Sequence, residues 1–235
     1  MHDFTHYALA LACIAGCGGG DGDGDDAADA LFAGTASAAL GGPGNEARCI
    51  TCHSASGAHA GDSGTSLEDI AFRASFKGGE APELLAGVNA CVAGWMGGVA
   101  LTASDARWER LEAYLVGISD PAVTAPNPLA PEVLADAAAY AVAYGGGDAT
   151  AGRAKYDAAC ARCHDAGLQV GPAVAPTRAS LDLGAGVIAQ KVRTSGPPPS
   201  GMGAGADATP GPMPFFEPRD LSAQDLKDIV AFLTN

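Results

Sequence analysis

The chain has 235 residues, enough for two domains of about 100 residues each. It carries 27 acidic against 13 basic side chains, a net charge of −14. That balance excludes nucleic-acid binding, which needs clustered Lys and Arg, and opposes adsorption onto anionic lipid headgroups. A partner with a basic docking face stays open, because opposite potentials raise encounter rates. Aromatic residues make up only 6% of the chain, and much of its apolar fraction is Ala and Val, so a purely proteinaceous core would be thin.

Tyr7 to Gly16 (YALALACIAG) is an apolar run too short to span a bilayer as a helix but right for a secretory h-region. Ile14-Ala15-Gly16-Cys17 resembles the lipobox of bacterial lipoproteins. The expectation is a signal segment at 1–17, with Cys17 diacylated as the mature N-terminus and Gly18 after it favouring the outer membrane. Residues 18–28 are Gly- and Asp-rich, cannot bury a core and read as an extended tether. The membrane would then be met only through this anchor, with the protein on the periplasmic side.

The remainder repeats one plan. CITCH (49–53) is followed by GWMGG (94–98) and LTASDARWERLEAYL (101–115). CARCH (160–164) is followed by GPMPFF (211–216) and LSAQDLKDIVAFL (221–233). Each terminal segment opens on a capping-box-like signal, Thr102-x-x-Asp105 and Ser222-x-x-Asp225, with Leu101 and Leu221 as staples. Trp108, Leu111 and Leu115 share one helical face, as do Leu226, Ile229, Val230 and Leu233. Between the copies, Ser119 to Glu132 holds four prolines, which bar helix and stiffen the chain. An Ala-rich helix is expected over about Val133 to Ala143, then another over Ala149 to Ala159. No long period-2 alternation occurs, so the fold class is all-α. The expected units are 29–120, a linker at 121–132, and 133–235.

The seven cysteines do not form a disulfide pattern. Four fall into two CxxCH units, which read as covalent haem attachment. Two thiols three positions apart can add across the two vinyl groups of one porphyrin, and the following His falls beneath the iron. The expectation is two haem c groups, one on Cys49, Cys52 and His53 and one on Cys160, Cys163 and His164. A structural zinc would need the halves to share four ligands and would leave both histidines unexplained.

On these motifs the chain resembles a tandem of class I c-type cytochrome domains over about residues 30 to 235. The resemblance implies that Gly152 and Tyr156 pack against Ile229 and Phe232. It implies that Pro172, in Gly171-Pro172, offers a carbonyl to Nδ1–H of His164. It also implies a methionine as sixth ligand: Met213, favoured over Met202, in the second domain, and Met96 in the first. Cys91, five positions before Met96, is the competing sulfur; a thiolate would suit oxygen or sulfur chemistry. His59 is expected near the haem edge and His53 is the proximal ligand.

The function implied is electron transfer between redox partners such as a dehydrogenase, other cytochromes or a terminal oxidase. There is no Ser/His/Asp set, phosphate-binding loop or flavin fingerprint, and no catalytic side chain is assigned. The alternative is a redox enzyme, peroxidase-like or acting on a small sulfur compound, using a vacant or thiolate-bound iron in the first domain.

Overall fold

The computed structural model describes residues 32, 40–54, 65–127, 131–170, 173–195 and 213–235. Cys17, His59, Met202 and Pro172 lie outside these residues. Among the described residues the chain is helical, and its strands are two residues long.

In the first half, α1 (Cys49–Cys52) leads into β1 (His53–Ser54), which pairs in parallel with β2 (Thr65–Ser66). Helix α2 (Leu84–Asn89) continues into a π-helical stretch, Ala90–Trp95, and α3 (Ala106–Gly117) follows. The cap of α3 is Asp105, which accepts from the Arg107 N–H at 2.9 Å, and not Thr102 as the sequence suggested. An Asp caps as well as a Thr, and here the carboxylate also grips the Arg107 guanidinium at 2.6 Å. The inward face is as expected, with Trp108, Leu111 and Leu115 buried.

The loop carrying Met96 is held from two sides. The Asn89 side chain donates to the Leu101 carbonyl at 2.9 Å and accepts the Leu101 N–H at 2.7 Å. Gly42 donates to the Met96 carbonyl at 2.8 Å. A Cβ on Gly98 would lie 1.9 Å from the Leu40 carbonyl oxygen, so only glycine lets these backbones touch.

In the second half, α4 (Ala137–Tyr144) starts behind Asp136, later than the Ala-rich run suggested, because Asp136 accepts from the Ala139 N–H. Helix α5 (Ala149–Ala159) is capped by Asp148 and runs into α6 (Ala161–His164). A tight pair, β3 (Gln169–Val170) and β4 (Ala173–Val174), follows, then α7 (Ala185–Thr194) and α8 (Ala223–Thr234). Ser222 caps α8 as its sequence promised.

Helices α5 and α8 pack together with Gly152 at their crossing, and the Tyr156 and Phe232 rings lie 5.3 Å apart. The core behind them gathers Tyr140, Tyr144, Ile188, Leu226, Ile229 and Val230. Arg193 is fully buried beside it. Its guanidinium donates to the Phe216 and Leu221 carbonyls at 3.0 and 2.8 Å and lies 3.4 Å from Glu132.

The Pro-rich segment is fastened at both ends. Ala74 donates to the Thr124 carbonyl and Asn127 to the Ser75 carbonyl, at 2.9 and 2.8 Å. At the far end, Glu132 accepts from both Tyr140 and Tyr144. No described helix is long and apolar enough to cross a membrane.

Candidate haem sites

The first site is built where α1 ends. Helix α1 presents Cys49 and Cys52, and the chain then turns extended at His53 (φ −128°, ψ 148°) and is pinned by the β1–β2 pair. Cys49, Cys52, His53, Cys91 and Met96 all line one cavity of about 430 Å³, walled by apolar side chains such as Phe76, Val88 and Leu111. Apolar walls around two thiols and an imidazole are the donor set and surroundings that a covalently attached porphyrin requires.

Burial pushes the Cys52 thiol well above its ordinary range, and the neighbouring Cys163, Cys91 and Cys49 push it further. Cys163 belongs to the other CxxCH, so the two motifs are neighbours in space. Among the described residues, no group of three or more His, Cys, Asp or Glu side chains is arranged to hold a metal ion directly, which disfavours a shared zinc site.

The two candidate sulfurs of this site have different surroundings. Met96 is buried among Leu40, Ala47, Val92, Leu101 and Trp108. Cys91 is half-buried and hydrogen-bonded to His53 and to Lys77. Burial raises the Cys91 thiol, but the bonds and charges of His53 and Lys77 outweigh it and bring the pKa down to about 7. Lys77 is itself in the left-handed region at φ 50°, a conformation costly for a residue with a Cβ. Sequence reading offered Cys91 only as a rival; its bond to His53 joins the π-helical stretch to the residue that follows α1.

The second site lies where α5 runs into α6. Cys160 ends α5, and Cys163 and His164 sit on α6. Burial, then the neighbouring Cys163, pushes the Cys160 thiol up to about 12. His164 is buried, and its Nδ1 lies 2.7 Å from the Pro176 carbonyl oxygen. The carbonyl described at this ring is that of Pro176, two residues beyond β4; Pro172 lies outside the described residues. With Nδ1 engaged, Nε2 is the nitrogen that could ligate an iron. Met213 is half-buried against the second core and opens the run that leads to α8. The residues present thus fit a haem at both motifs, by donor set at each and by a preset imidazole at the second.

A buried CxxCH histidine whose Nδ1 meets a backbone carbonyl is suited to hold a haem iron through its other nitrogen. Residues 147–233 match the family model described as cytochrome C oxidase, cbb3-type, subunit III. That match supports a c-type cytochrome domain, with covalent haem c and electron transfer, and such domains are typically extracytoplasmic. It covers the second half, and residues 1–146 lie outside it. No curated protein matches the chain.

Proposed function

We propose that the chain is a dihaem c-type cytochrome that carries single electrons between redox proteins on the periplasmic side of the cell envelope. Haem c, when bound, supplies an iron that changes oxidation state by one electron. The chain's own residues attach it, orient its ligands and exclude water. Cys160 and Cys163 would form the thioethers of the second haem, His164 and Met213 would ligate its iron, and Pro176 holds the His164 ring in one orientation. Cys49, Cys52 and His53 would do the same in the first half, with Met96 as the other ligand.

The observation that carries this reading is the His164–Pro176 bond at a CxxCH inside the matched region. The dihaem count rests on the first-half CxxCH, Cys49 to His53, lining a cavity of about 430 Å³. Redox partners such as components of an oxidase fit the family matched in the second half. Attachment at the outer membrane through Cys17 completes the proposal.

The test is a mass determination of the purified chain with optical spectra. Two haem masses and two low-spin spectra that ignore carbon monoxide are expected. A colourless product, or a mass of polypeptide and lipid alone, would end the proposal.

A second reading is favoured by one contact, that of Cys91 with His53. In it Cys91 replaces Met96 as the sulfur ligand, and the first site acts on peroxide or a small sulfur compound. Magnetic spectra of Cys91→Ala and Met96→Ala decide between the two. The variant that converts the first haem to high spin has lost its ligand.

A further inference from the structure

The two attachment motifs touch. Arg162, inside CARCH, donates through Nη1 to the carbonyl of Ile50, inside CITCH. Beside that bond Glu46 and Gln169 meet twice: the Glu46 N–H donates to the Gln169 carbonyl at 2.8 Å, and the Gln169 N–H donates to the Glu46 side-chain carboxylate at 2.9 Å. The next residue, Val170, packs against the first-half cluster of Leu40, Ala47 and Val92. Further along, Pro214 and Phe215, directly after Met213, line the first cavity.

Three kinds of contact therefore join the halves at their redox ends: a guanidinium bond, the doubly bonded Glu46–Gln169 pair and an apolar plug. None depends on the Pro-rich connection. A loose tether would leave Gln169 and Val170 facing water, and the Glu46 carboxylate would have no reason to be satisfied by an amide more than a hundred residues away in sequence.

We propose that these contacts form a built docking interface between the haem-attachment segments, and that Arg162, Glu46 and Gln169 are its positioning residues, so that the two halves work as one electron-transfer module. The consequence for electron exchange rests on the dihaem reading above. One electron, supplied by an external one-electron donor, leaves the reduced half, which is oxidised. It reduces the other half, with no bond broken and no proton moved.

The charge arrangement gives a selective handle. Reversing Arg162 puts a carboxylate where the Ile50 carbonyl oxygen and the nearby Glu46 carboxylate already concentrate negative charge. Arg162→Lys keeps the charge and a donor.

The experiment uses the full-length, haem-loaded chain. Amide hydrogen exchange at Glu46 and Gln169 reports the interface directly. Flash reduction by a sub-stoichiometric photoexcited flavin reports passage between the halves as a phase independent of protein concentration. Protected amides are expected in the parent. Arg162→Glu should speed exchange at Gln169 about tenfold or more and slow the internal phase, with haem content and helix content unchanged. Arg162→Lys should restore most of both. Unprotected amides in the parent, or Arg162→Glu leaving exchange and internal phase unaltered, would overturn the interface. The exchange readout does not depend on the number of haems, whereas a mass with one haem would sink the dihaem reading alone.

Discussion

The α-carbon of Gly152 faces the backbone of Asp228 so closely that a Cβ there would lie 1.9 Å from the Asp228 carbonyl oxygen. The obstacle is main chain, which cannot swing aside as a long side chain can. Gly152→Ala should therefore push α5 from α8 and destabilise the second half by about 1–3 kcal/mol, the range for overpacking. Gly117 gives the contrast, since its Cβ would meet nothing within 4 Å. Gly117→Ala is expected to be neutral or to stabilise by about 0.4–1 kcal/mol through the unfolded chain. Urea unfolding of both variants checks the pair.

Arg193 is the most buried charge described in the second half, and its bonds tie three elements. It holds the Phe216 and Leu221 carbonyls before α8, the Tyr144 hydroxyl on α4 at 2.9 Å, and Glu132 at the end of the connection. Removing one partner of a buried charged network leaves the rest unsatisfied. Arg193→Met should cost about 3–5 kcal/mol. Glu132→Gln should cost less, because the Glu132 side chain is 34% exposed and water can replace what is lost. Denaturant midpoints of the two variants test the order; equal losses would contradict it.

The start of α8 should make stability acid-sensitive. Burial opposes ionisation of Asp225, but Lys155, at 2.9 Å, and the Ser222 hydroxyl outweigh it and hold the carboxyl below its ordinary value. A depressed folded pKa adds stability that is fully present above the unfolded value, about 4, and is lost as pH falls through the folded one. The melting temperature should fall on acidification below about pH 4. Asp225→Asn should flatten that fall. Ser222→Ala should cost about 1 kcal/mol at neutral pH through loss of the cap. Melting curves from pH 2 to pH 7 would show whether the fall is present in the parent and absent in the variant.

These elements also show what could be read from the chain before folding. Local signals were legible. The helix over Ala149–Ala159 forms with the expected bounds, Ser222 caps its helix, and the apolar stripes of α3 and α8 are buried, Leu233 only partly. Where two local signals competed, the reading slipped: Asp105 took the cap from Thr102, and Asp136 delayed α4. The Pro176 carbonyl beside His164 was not read from the sequence, because its position depends on the path of the backbone after β4. The contacts of Arg162 with Ile50 and of Cys91 with His53 carried no local trace. Each joins residues distant in sequence, and only the folded backbone brings them together.

The attachment cysteines of the second half should matter for folding as well as for redox chemistry. Cys160 closes α5, Cys163 and His164 form α6, and Met213 opens the run into α8, so one cofactor would bridge the two helices whose crossing Gly152 sets. Few aromatic side chains are available to take its place in the interior. A Cys160→Ala, Cys163→Ala variant would lose the covalent hold and much of the apolar contact area with it, and burial of such area is the main favourable contribution to folding. On the dihaem proposal, the expected result is loss of one haem, a drop in helical circular dichroism and a lower-melting second half, while the absorption of the other haem persists. Retention of full helix content and an unchanged melt in a variant lacking that haem would show that the protein core alone suffices.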